Sequence, residues 1–170
     1  MWVRKRLDIG FRDLAFGMLH SVVPASRAAL QRRLEADWSR WGDCLACLSV
    51  RTGLDLLLAA LELPPKSEIL MSAMTIPDMA RIVEHHGLLP VPVDLDPDTL
   101  GPNLASLRRA VTPASRAIVV AHLCGGRVSM APILAEARQH ALRVIEDCAQ
   151  AFDGRGYTGD PDADASLFSF

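Results

Sequence analysis

The chain has 170 residues, a net charge of −2 at pH 7 and a half-hydrophobic composition. That is enough for one domain with a core, and too apolar for a disordered chain. With pI ≈ 6.2 there is no basic surplus to draw nucleic acid, and no apolar run reaches the roughly 20 residues that cross a bilayer.

The start, Met1 to Arg12, mixes Arg4, Lys5, Arg6 and Arg12 with Asp8. No long apolar run or small-residue cleavage site follows, so residues 1–25 read as a solvated arm or first helix and not as a signal peptide. From Ser26 helix-like and strand-like blocks alternate. Ser26 to Arg40 has helical periodicity, with Leu30, Leu34 and Trp38 on one face. Cys44 to Ser49 reads as a strand, and Gly53 to Leu61 as an apolar helix stopped by Pro64 and Pro65. Glu68 to Ser72 is a strand. Pro77 to His86 is a helix, with proline in its first turn and Gly87 just past its end. A strand at Leu88 to Val93, a short helix at Asn103 to Val111 and a strand at Ala117 to His122 follow. Met130 to Ala141 is a helix and Leu142 to Asp147 a strand. A glycine-rich turn at Gly154 to Asp160 leads to a final strand, Ala165 to Phe170. Such alternation implies βαβ units. The fold class is α/β, a three-layer α/β/α arrangement with a mostly parallel sheet, and residues 26–170 form one domain.

In an open parallel sheet, ligands bind beyond the carboxyl ends of the strands. The segment V-I-E-D-C-A-Q-A, Val144 to Ala151, puts a carboxylate, Asp147, and an amide, Gln150, at such an end. Few arrangements need this pair, and one is a pyridine cofactor held by its ring nitrogen. The turn after Ser49 opens into a helix, whose unpaired N–H groups favour phosphate, with Arg51 near enough to add charge. An ordinary capped turn with a surface arginine fits the same residues. His122 ends an apolar strand, where a histidine serves more often as a hydrogen-bonded structural residue than as an acid or base. Asp94 and Asp96 shape a turn before Pro97, and Asp160, Asp162 and Asp164 lack the full loop pattern of a calcium site. Cys44 and Cys47 form a C-x-x-C, but no second such pair or histidine pair completes a metal site. They are expected to be buried structural thiols, and free thiols fit the cytoplasm.

Taken together, Leu48 to Phe170 resemble the DegT/StrS-type sugar aminotransferases, which use pyridoxal phosphate on the type I aminotransferase fold. The resemblance is carried by S-E-I-L-M-S-A-M-T at Ser67 to Thr75, P-V-P-V-D-L-D-P-D-T-L at Pro90 to Leu100 and V-V-A-H-L-C-G-G at Val119 to Gly126. V-I-E-D-C-A-Q-A and the terminal S-L-F-S-F complete it. The resemblance implies that Asp147 pairs with the pyridinium nitrogen, Gln150 contacts the phenolic oxygen, and Ser169 and the Val50–Arg51 backbone hold the phosphate. It implies an amino donor and a keto-sugar nucleotide as substrates, in polysaccharide or antibiotic-sugar synthesis, and a homodimer when complete. The sequence departs from the family in three places. Ser49-Val50-Arg51 replaces the usual Ser-Gly-Thr. Ile76 stands where an aromatic residue usually stacks on the ring. The family's catalytic lysine lies shortly beyond the serine matching Ser169, whereas this sequence has only Phe170 there and its two lysines, Lys5 and Lys66, match no such position. The expectation is therefore an N-terminal portion of the large domain, truncated before the catalytic lysine. It is an incomplete aminotransferase, or alternatively a non-catalytic remnant or split-gene subunit that binds cofactor weakly or pairs with a partner chain.

Overall fold

The computed structural model describes residues 9–23, 25–39, 42–152 and 156–169. The basic stretch before Ile9, Arg40, the start of the glycine-rich turn at Gly154 and the terminal Phe170 lie outside them. The residues divide into two compact units, Met1–Ala46 and Cys47–Phe170.

The first unit holds two helices, α1 (Phe11–Val22) and α2 (Arg27–Trp38). Ser26 caps α2 by accepting the Ala29 N–H, which satisfies one of the donors a helix start leaves open. Glu35 on α2 accepts the Ala46 N–H at 2.8 Å and the Gln31 amide at 2.9 Å, tying the end of this unit to its helix. The apolar face expected on α2 is not buried, as Leu30 and Leu34 are exposed.

The second unit runs α3 (Val50–Leu61), β1 (Glu68–Ser72), α4 (Pro77–His85), β2 (Leu89–Val93), α5 (Leu104–Ala110), β3 (Ser115–Ala121), α6 (Met130–Gln139), β4 (Arg143–Cys148) and β5 (Ala165–Phe168). The strands form one sheet in the order β2-β1-β3-β4-β5, every pair parallel, as the βαβ pattern requires. Alternate side chains point to opposite faces and build two cores. Leu70, Ile118, Val120 and Val144 pack with Leu107 on α5 and Ile133 and Leu134 on α6. Ile69, Met71, Val119 and Ile145 pack with Leu54 and Leu58 on α3 and Met79 and Val83 on α4. The three-layer α/β/α reading holds.

The strand expected at Cys44 to Ser49 does not form; the backbone there is irregular. A strand needs a partner's N–H and C=O groups to close a ladder, and none of the five strands pairs with this segment. Nor are its cysteines buried: Cys44 is half-buried and Cys47 exposed, its thiol donating to the Ser49 carbonyl at 3.3 Å. Helix α3 begins one turn earlier than its apolar pattern suggests, because Ser49 accepts the Thr52 N–H at 3.2 Å and so caps it at Val50.

Leu70 is fully buried, whereas Leu48 is 80% exposed. Leu70→Ala should cost about 2–5 kcal/mol by leaving a cavity, and Leu48→Ala at most about 0.5 kcal/mol, measured by urea unfolding.

Candidate cofactor site

The chain leaves β1 for β2 on one side and returns to place β3, β4 and β5 on the other. The strand order therefore reverses between β1 and β3. A crevice opens at such a switch point, beyond the carboxyl ends of the strands. Here β1 feeds α4 on one face of the sheet while β3 feeds α6 on the other, so the two connections part at the carboxyl edge.

Asp147 lies next to the end of β4. It shares the α3–α4 face with Ile145, because residues two apart on a strand point the same way. It is half-buried, and its Oδ1 accepts the Ala149 N–H at 3.1 Å. Burial pushes its carboxyl above the ordinary value against the lowering effects of that N–H and of His122. A cation placed beside it would be strongly welcomed. Asp147 faces Leu167 in the β4–β5 register, and Leu167 is packed against the first turn of α3. A Cβ added to Gly53 would stand 3.3 Å from Leu167 Cδ2, so glycine lets α3 approach the strand this closely. The start of α3 thus lies at the level of Asp147. Its Val50 and Arg51 N–H groups precede the first intrahelical bond, from Gly53 to Ser49, and are open donors with the helix dipole behind them.

The other expected residues fall around this edge in different states. Gln150 is exposed, and its Oε1 accepts the Cys124 N–H at 2.9 Å, which leaves its NH₂ as the end that offers donors outward. Ser169, just past β5, is exposed. Ile76 is the N-cap residue of α4 and half exposed. The Arg51 guanidinium is turned to Asp78 on α4 at 3.3 Å, and Asp78 also takes Arg81 at 3.3 Å. Lys66 stands in the turn before β1, at the amino edge and thus the opposite end of the sheet from Asp147. Lys5 lies outside the described residues. Asp96 caps its own turn through Asp98 and Thr99, and Asp162 and Asp164 pair with Arg138 and Arg143. These acids shape loops, as their spacing suggested.

One residue escaped the sequence reading. Glu146 points to the opposite face from Asp147 and has no exposed surface. Its Oε1 accepts His122 Nε2–H at 2.8 Å and the Tyr157 hydroxyl at 2.6 Å. Its Oε2 accepts the Asp160 N–H at 2.6 Å and the Ser166 hydroxyl at 2.9 Å. The His122 tautomer follows: Nδ1 accepts the Val128 N–H at 2.9 Å, so the proton sits on Nε2. Burial alone would raise the Glu146 carboxyl, but the four donors outweigh it and hold it from the ordinary 4.5 down to about 2. The available signal was a lone acid inside an apolar strand, which cannot be buried without partners. His122, Glu146 and Cys148 lie close enough to suggest a metal site. Their donor chemistry does not suit one: both histidine nitrogens are engaged, and burial together with Glu146 and Asp147 pushes the Cys148 thiol up to about 12.

With this geometry in place, the comparisons are specific. Residues 28–170 match the DegT/DnrJ/EryC1/StrS aminotransferase family. The chain belongs to that family. It is 37% identical over 137 residues to GDP-perosamine synthase of Caulobacter vibrioides, covering 79% of this chain and 37% of that enzyme. Its fold superposes on DesI, solved with its TDP-sugar product, with TM-score 0.70 and 30% identity, covering 94% of this chain and 41% of DesI. NtdA of Bacillus subtilis, solved with the cofactor PMP bound, matches with TM-score 0.58 and 31% identity over 61% of this chain and 24% of NtdA. The chain thus spans well under half the length of these relatives. Other solved relatives are named as aminotransferases, among them the sugar aminotransferase CalS13 of Micromonospora echinospora, and this chain shares their α/β fold.

Adjacent carboxylates should show opposite pH signatures. Glu146 has a depressed pKa, so its contribution is full above pH 4.5 and is lost as pH falls toward 2. Asp147 has a raised pKa, so its charge costs stability as pH rises above the ordinary 3.8. In urea unfolding, Asp147→Asn should be more stable than the parent at pH 7 and equal to it below pH 3.8. Glu146→Gln should be less stable at pH 7, with the gap narrowing from pH 4.5 toward 2. Gly159 has φ +104°, and a Cβ there would stand 2.0 Å from Ser166 Oγ. Gly159→Ala should therefore destabilise by at least about 2 kcal/mol, through strain and a displaced hydroxyl.

Proposed function

We propose that these residues form the cofactor-holding part of a pyridoxal 5′-phosphate-dependent sugar aminotransferase. The observation that carries this reading is Asp147, half-buried with a raised carboxyl, level with the open N–H groups of α3. The donor set fits the cofactor at both ends. Asp147 would face the ring nitrogen, and its desolvated carboxylate would keep a proton there. The Val50 and Arg51 N–H groups, with the Ser169 hydroxyl, would hold the phosphate. The NH₂ of Gln150, fixed in orientation by the Cys124 N–H on its other end, would donate to the phenolic oxygen. Ile76 would cover a ring face by apolar contact alone. Bound there, pyridoxal phosphate supplies an electron sink for moving an amino group between a donor and a ketone.

Among the described residues no lysine stands at the carboxyl edge of the sheet. These residues hold the cofactor and tune its ring, and a proton-shuttling base must come from elsewhere. The names of the relatives favour a keto-sugar nucleotide as amino acceptor. A homodimer is what the family resemblance implies, and free thiols accord with a cytoplasmic setting.

Pyridoxamine 5′-phosphate is the suitable probe, because it binds without bonding to stray lysines. A fluorescence titration should show saturable binding that Asp147→Asn weakens at least tenfold, or about 1.4 kcal/mol. Equal affinity in the two proteins would refute the assigned role.

A further inference from the structure

We propose that Glu146 is a positioning residue for this site: its buried carboxylate gathers the ends of β3, β4 and β5 and thereby sets where Asp147 and Ser169 stand. The inference rests on the cofactor reading above and extends it to the opposite face of the sheet.

Three observations support it. First, the four donors come from three separate segments: His122 at the end of β3, Tyr157 and Asp160 in the loop before β5, and Ser166 within β5. Second, His122 grips β4 twice. Its ring donates to the Glu146 side chain, while its backbone N–H donates to the Asp147 carbonyl at 3.0 Å. His122 thus holds β4 at two successive residues, through the Glu146 side chain and the Asp147 carbonyl. Third, among the described residues β5 pairs with β4 alone and leads directly to Ser169: Leu167 packs toward α3 on one face, while on the other Ser166 is held by Glu146. Gly159, at φ +104°, lets the loop press onto Ser166 and Glu146 where any side chain would collide. Arg127 lies 4.7 Å over the Tyr157 ring and closes the outside of the cluster.

A glutamine cannot replace Glu146. Its NH₂ would face either His122 Nε2–H, which cannot become an acceptor while Nδ1 accepts the Val128 N–H, or the Asp160 N–H, which cannot accept at all. Tyr157→Phe and Ser166→Ala are milder, each removing one donor from a carboxylate that keeps three. Thr112→Ala is the control, because it removes a hydrogen bond to Glu68 at the amino edge of the sheet.

Two readouts decide the matter in the 170-residue chain, with its fold verified by circular dichroism. The first is pyridoxamine 5′-phosphate affinity, expected to fall at least fivefold in Tyr157→Phe and Ser166→Ala and further in Glu146→Gln, with Thr112→Ala unchanged. The second is the carboxyl titration of Asp147 by carbon NMR, which needs no ligand. Its raised midpoint should drop toward the ordinary value in the three cluster variants as the strand end loosens and admits water. A purely structural role would lower unfolding midpoints while leaving both readouts of the folded protein unmoved, and that result overturns the proposal. If the parent chain binds no probe, the cofactor reading fails by itself. The positioning claim then stands or falls on the Asp147 titration, where an unchanged midpoint in all three variants rejects it.

Discussion

A carboxylate with no exposed surface persists inside a protein only when its lone pairs are taken up, and at Glu146 all the surrounding geometry answers to that need. Four donors converge on two oxygens. Each brings a stretch of backbone with it, so satisfying one charge locates a strand end, a loop and an edge strand. The tautomer of His122, the left-handed backbone of Gly159 and the hydroxyl at Ser166 are consequences of the same constraint. Were the carboxylate protonated or removed, at least one buried donor would be stranded, at about 1–3 kcal/mol each.

The sheet divides two electrostatic tasks between its faces. On the α5–α6 side, Glu146 is ionised and fully paired, and is therefore inert. On the α3–α4 side, Asp147 is poorly hydrated and incompletely paired, and is therefore ready for a cation. Two acids adjacent in sequence acquire opposite pKa displacements because a strand turns successive side chains to opposite faces. The helix that faces Asp147 contributes N–H donors at its start, so one end of the crevice favours a cation and the other an anion. A zwitterionic ring with a phosphate arm has that distribution of charge.

The strand and helix pattern of residues 50–168 was legible because buried parallel strands are continuous apolar runs and the helices between them carry clear stops. Asp147 and Gln150 could be placed because the carboxyl end of a strand is where this architecture binds ligands. The segment Cys44 to Ser49 misled because its composition suits a strand, while strand formation depends on a partner that local sequence does not reveal. The same holds for Leu30 and Leu34 on α2, whose periodicity marks a helix but does not say whether its apolar face is covered. Glu146 could have been flagged as a buried acid in need of donors. Which donors those are is set by a strand end, a loop and an edge strand that local sequence does not bring to it.

By itself, then, the sequence determined the alternating architecture, the family and which polar residues stand at the carboxyl edge of the sheet. Those features follow from short-range periodicity and from motifs whose order along the chain is sufficient. Only the tertiary structure decided that Asp147 is half-desolvated, that Arg51 is turned to Asp78, that Gln150 presents its NH₂ outward and that Glu146 is the hub behind them. Each of these depends on which groups meet across the sheet, and burial and hydrogen-bond partners exist only once distant segments are packed together.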